Sequence, residues 1–137
     1  MIVTIGRREV LAALGGAAVA WPRAARPQGE RLPRVGVLMP YVENDPEASP
    51  RVTALRQGLA QLGWTEGRNV RLDYRWPGSD GASIHRLARE LVDLQPDVIL
   101  TESTPVTAAA LHETRTLPVV FVQVADPVGS RFVASFP

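Results

Sequence analysis

The chain has no cysteine and no lysine among its 137 residues. The first absence excludes disulfides, thiolate catalysis, cysteine-ligated zinc and a lipid-modified N-terminal cysteine. The second excludes every lysine-based mechanism, and it makes all 15 basic residues arginines. Also missing are a G-x-S-x-G nucleophile elbow and a glycine-rich phosphate loop after any strand-like run. The segment Met39, Pro40, Tyr41, Val42, Glu43, Asn44, Asp45 lacks the glycines that let backbone approach a pyrophosphate, so dinucleotide binding is not expected. No metal site is expected either, because His85 and His112 stand far from a second ligand at metal spacing and read as surface histidines. Nor is any other cofactor.

What is present is an ordinary globular composition, 45% apolar and 21% charged, enough for one domain. The formal charge of +1 conceals an asymmetry. Residues 1–27 hold Arg7, Arg8, Arg23 and Arg26 against Glu9. Taking these from the totals of 15 and 14 leaves 11 arginines against 13 acids in the remainder. A slightly acidic body has no clustered positive charge for phosphate, so nucleic acid is not an expected partner.

The basic leader has the layout of an export signal: Arg7 and Arg8, a short apolar stretch from Val10 to Ala20, then a polar, proline-containing region. The stretch is too short to anchor a helix in a bilayer. Paired arginines give it a twin-arginine character, with Val10 where that motif has a bulkier apolar residue. The alternative is a plain N-terminal tail. The expected division is therefore an export signal over 1–27 and an α/β unit over 28–137.

Within that unit, strand-like and helix-like runs alternate, which predicts a parallel sheet with right-handed crossovers. Strands are expected at Arg34–Met39, Val70–Trp76, Asp97–Thr101 and from Val119 to Val124. Helices are expected at about Pro50–Leu62 and Ala82–Leu94, and from Thr104 to near Thr114. Arg71, Asp73 and Arg75 alternate with Leu72, Tyr74 and Trp76, so the second strand is expected at an edge with one wet face. The other three runs read as covered on both faces. Together they predict an open parallel sheet of order 2-1-3-4 with helices on both faces.

Three junctions repeat one pattern, a capping side chain followed by proline: Ser49 with Pro50, Thr104 with Pro105, and Asp126 with Pro127. All three follow expected central strands. They would gather helix N-termini on one edge of the sheet, where unpaired N–H groups favour an anion such as a ligand carboxylate. The plainer alternative is efficient helix initiation. Tyr41, at the end of the first strand, is placed to stack on a ligand. Glu43 with Asp45, and Glu102 with Asp126, are carboxylate pairs that read as solvated loop acids. Beyond Gly129, residues 131–135 read as the first turn of a fourth helix, and a truncated chain is expected.

Several linked motifs resemble the ABC transporter substrate-binding proteins of the tryptophan and tyrosine receptor type. These are Gly15, Gly16, Ala17, Ala18, Trp21 and Pro22 in the leader, the strand Val35 to Pro40, the run Leu62 to Val70, and the block Phe121 to Gly129. The resemblance implies the incomplete N-terminal lobe of a type I periplasmic binding protein. It implies a non-enzymatic, periplasmic receptor that binds a small ligand and serves an ABC permease in the inner membrane. Its ligand-facing loops fall on Tyr41, Glu43 and Asn44, on Ser103 and Thr104, and on Asp126 and Pro127. Two rival readings stay open: a small α/β enzyme or nucleotide-binding domain, and a non-functional fragment.

Overall fold

A computed structural model describes residues 31–135; the expected export signal lies outside them. Four strands, β1 (Arg34–Leu38), β2 (Arg71–Arg75), β3 (Val98–Glu102) and β4 (Val119–Val122), alternate with three helices, α1 (Ala48–Gln61), α2 (Gly81–Asp93) and α3 (Thr104–Glu113). The strands form one parallel sheet in the order β2-β1-β3-β4, as the alternating pattern predicts. No described helix is long and apolar enough to cross a membrane.

Helix α2 shows why the order holds. Its Ile84, Ala88 and Leu91 recur at helical spacing and are buried together with Leu38 of β1 and with Val106 and Ala109 of α3. Burying the leucine, isoleucine and valine side chains among these contributes about 1.5–3 kcal/mol each. Asp80 caps α2 by accepting from the Ser83 amide at 2.8 Å. On the opposite face, Leu59 and Leu62 from the end of α1 pack with Trp64, Val70, Leu72, Val35 and Tyr74. Gly63 leaves that helix with φ +86°, the left-handed exit its position predicts. Asn69 then ties the loop by accepting from the Thr65 amide at 2.7 Å and donating to the Gly63 carbonyl at 2.8 Å.

The structure corrects four details. Strand β4 lies at an edge of the sheet, partly exposed, with Val122 44% accessible, so it is not covered on both faces. The expected wet face of β2 is wet only in part: Arg71 is exposed, but the Asp73 carboxylate is 10% accessible and paired with Arg34 Nε at 2.7 Å. Residues 131–135 form turns and bends instead of a helical turn. There Phe132 is buried and meets the Phe121 ring edge-on at 6.1 Å. Finally, α1 begins at Ala48, ahead of the Ser49–Pro50 cap, with Glu47 at the cap position. The reason is local: Asp45 N donates to the Val42 carbonyl at 3.1 Å, and the Asp45 carboxylate then accepts from the Glu47 amide at 2.9 Å. The chain has therefore already turned before Ser49 is reached.

Candidate functional site

Because the sheet is parallel, the loops after β1, β3 and β4 leave from one edge. Three backbone features mark that edge. Asn44, Ser103 and Gln123, one in each loop, have φ of +66°, +76° and +54°. Asparagine tolerates this region, but Ser103 at ψ 158° occupies a conformation that is essentially reserved for glycine. Such strain persists only where surrounding bonds over-determine it, and here they do. The Ser103 amide donates to the Val122 carbonyl at 3.1 Å. Its carbonyl accepts from the Thr107 amide at 3.1 Å and from the Thr107 hydroxyl at 2.7 Å. Thr107 Oγ1 spends its one proton there, so the fully buried Thr101 hydroxyl, 2.8 Å away, is the donor between the two threonines.

Held in this way, Ser103 takes the N-cap position of α3 without using its side chain as a cap. The hydroxyl oxygen is instead buried with no hydrogen-bond partner. Position in the helix leaves the Thr104 and Val106 amides without intrahelical acceptors, and Pro105 has none to satisfy. The cap is therefore one residue earlier than the Thr104–Pro105 pattern suggests. Thr104 Oγ1 instead accepts from the Ala125 amide at 3.4 Å, joining the β3 and β4 loops.

Tyr41 and Glu102 meet here. The Tyr41 hydroxyl donates to Glu102 Oε1 at 3.0 Å, and Arg51 Nη1 of α1 reaches the same oxygen at 2.9 Å. The guanidinium also lies over the Tyr41 ring, 5.5 Å from its centroid. Glu102 is 3% accessible, so it is not the solvated loop acid its sequence context suggests. Arg51 does not stand out in the sequence, being on a helix surface, and Glu102 does so only as a loop acid; the parallel pairing of β1 and β3 sets the Tyr41 and Glu102 loops side by side.

The remaining candidates divide. Asn44 sits in the tight turn that precedes α1. Glu43 is exposed and lines a groove along β2 with Asp73, Arg75, Trp76 and Leu87, apart from the Glu102 cluster. Asp126 starts no helix; its carboxylate accepts from the Gly129 amide at 2.7 Å and its carbonyl from the Ser130 amide at 2.9 Å, closing a turn. Pro127 is buried within that turn. The edge thus presents the N-termini of α1 and α3 and one turn, where the repeated pattern predicts three helices. Metal-type ligands come together elsewhere: among the described residues His85, His112 and Glu113 form one cluster on α2 and α3.

Desolvation of its hydroxyl, and then the Glu102 carboxylate beside it, raise the Tyr41 pKa; burial likewise raises that of Tyr74. A phenol that holds its proton more tightly when folded stabilises the fold fully below its unfolded value of about 10 and loses that contribution as pH rises through the folded value. Ultraviolet titration is therefore expected to show phenolate appearing at higher pH in the folded chain than in urea, with stability falling above about pH 10. Coincident titrations would refute the contact. The chain has two tyrosines, so Tyr41→Phe assigns the signal.

A four-stranded parallel sheet of this order, with its loops converging at one edge, matches the lobe of a periplasmic binding protein. Residues 34–137 match the family described as ABC transporter substrate binding protein, and the chain belongs to it. A curated relative, the tyrosine-binding protein of Clostridioides difficile, is 29% identical over 79 residues, which are 58% of this chain and 23% of that protein. Among solved structures, a conserved domain protein of Vibrio cholerae is 33% identical with a TM-score of 0.69 over 77% of this chain and 35% of that one. A substrate binding protein with adhesive properties from Clostridium difficile, in its ligand-free open form, is 25% identical with a TM-score of 0.68 over 76% and 35%. The fold is shared also with an ABC domain from Streptococcus pneumonia in complex with L-Trp, at a TM-score of 0.68 and 24% identity over 77% and 35%. The chain thus spans about a third of the length of these structures and 23% of the curated relative.

Proposed function

We propose that the chain is ligand-binding lobe material of a periplasmic solute receptor for an ABC importer, without enzymatic activity, taking a small amino-acid-like ligand by its carboxylate. The carrying observation is Ser103, strained at the N-terminus of α3 with a buried hydroxyl that has no partner. A carboxylate at that point would accept from the hydroxyl and from the free first-turn amides, on the positive end of the helix dipole. Thr104 belongs to the same rim. Tyr41 supplies an aromatic surface, with Arg51 balancing the Glu102 charge beneath it. Relatives named for tyrosine and found with L-Trp favour aromatic amino acids. Asn44, Glu43, Asp126 and Pro127 shape the surrounding loops. Export through the leader and delivery to a membrane permease complete the reading.

The test is calorimetric titration of the chain with L-tyrosine, L-tryptophan and their amides. Binding of the acids is expected, lost with the amides and weakened at least about tenfold by Ser103→Ala, which corresponds to roughly one hydrogen bond to a charged acceptor. Amides that bind as well as acids would overturn the carboxylate role. Absence of binding by both amino acids would overturn the ligand class.

A further inference from the structure

We infer that His85, His112 and Glu113 form a surface site for a divalent transition-metal ion, with zinc the best match to two imidazoles and one carboxylate. The residues come from α2 and from the last turn of α3, and their ligand atoms all lie within 4.8 Å of one another. Glu113 Oε1 is 3.5 Å from His85 Nδ1 and 3.2 Å from His112 Nδ1. Ligands bound to zinc at 2.0–2.2 Å in a tetrahedron stand about 3.3–3.5 Å apart, so two edges of that tetrahedron are already in place. The third requires only rotation of exposed rings, which now meet edge-on at 5.4 Å between centroids.

Two further features suit a cation. The Glu113 side chain is 9% accessible and its second oxygen is fixed by Arg89 Nε at 3.1 Å, so the carboxylate is held in place with Oε1 turned to the histidines. The site also lies at the C-terminal, electronegative end of α3. A fourth position stays open to water or to a group from another molecule. Ser103 and Thr104 sit at the other end of the helix, about 14 Å away at 1.5 Å per residue, so this site is separate from the proposed ligand rim. In the sequence the cluster is hidden, because His85 is separated from Glu113 by a whole helix–strand–helix unit.

Zinc chloride titrated calorimetrically into the untagged chain is expected to show one saturable site. His85→Ala with His112→Ala, and separately Glu113→Gln, are each expected to weaken it by at least about tenfold. The chain has two histidines and no cysteine, so one equivalent of zinc should shift the ring resonances of both histidines and of no competing thiolate. The variants are at exposed or helix-end positions, and an unchanged denaturation midpoint would verify that they fold. No saturable binding, or equal binding by the parent and the double-histidine variant, would overturn the site.

Discussion

Leu91→Ala is expected to destabilise the fold by about 3–4 kcal/mol, near the middle of the range for a fully buried leucine. Leu91 is 0% accessible and joins Leu38, Ile84, Ala88, Val106 and Ala109 in the cluster between α2, α3 and the sheet. Its side chain also approaches Gly36 of β1 so closely that a Cβ built on that glycine would stand 3.3 Å from Leu91 Cδ2. The two positions should therefore be coupled. Gly36→Ala alone crowds Leu91, which must give by a few tenths of an ångström, whereas in the Leu91→Ala background the added methyl fills part of the cavity and is better tolerated. Urea denaturation of the four chains measures both effects, with the slope unchanged if the native and unfolded states keep their extents. A loss under about 1 kcal/mol for Leu91→Ala, well below the usual range, would mean that the interior is not packed as described.

Arg51→Ala is expected to be more damaging than Glu102→Leu, although both break the same ion pair. The Arg51 side chain is 35% accessible and can turn to water when its partner is gone. Glu102, at 4%, cannot. Removing the arginine strands a buried carboxylate with the Tyr41 hydroxyl as its remaining donor, a situation that costs about 3–5 kcal/mol when burial is complete. Replacing the glutamate by leucine removes the charge that had to be desolvated and fills much the same volume, leaving one phenolic hydroxyl unpaired at about 1–3 kcal/mol. Denaturation midpoints of the two variants decide the matter. The reverse order would mean that Glu102 reaches solvent in the folded chain.

Most of the sheet was legible in the sequence because the signals were local. Ile84, Ala88 and Leu91 declare a helix face by spacing alone, and Leu72 and Tyr74 alternate with charges along β2. The order of strands followed from which runs were apolar throughout. Where the reading went astray, a non-local or competing contact decided the outcome. Ser49–Pro50 lost helix initiation to the Asp45 turn, and Asp126 spent its capping capacity on Gly129 and Ser130 without a helix following. Glu102 looked like a loop acid because sequence does not display the arginine and tyrosine, 51 and 61 residues before it, that pay for its burial. Ser103 enters the candidate site through the family resemblance, as part of the loop after β3. Its left-handed backbone and orphaned hydroxyl are properties of the folded chain that no pattern of residue types encodes.

The unfavourable torsions of Ser103 and Gln123 bear on how this domain would respond to engineering. A library screened purely for thermal tolerance should enrich glycine at these two positions, since glycine occupies positive φ without the steric cost that other residues meet. Such winners would melt later and hold their loops less rigidly. Thermal robustness and a fixed loop backbone would thus be selected in opposite directions at the same two peptide units.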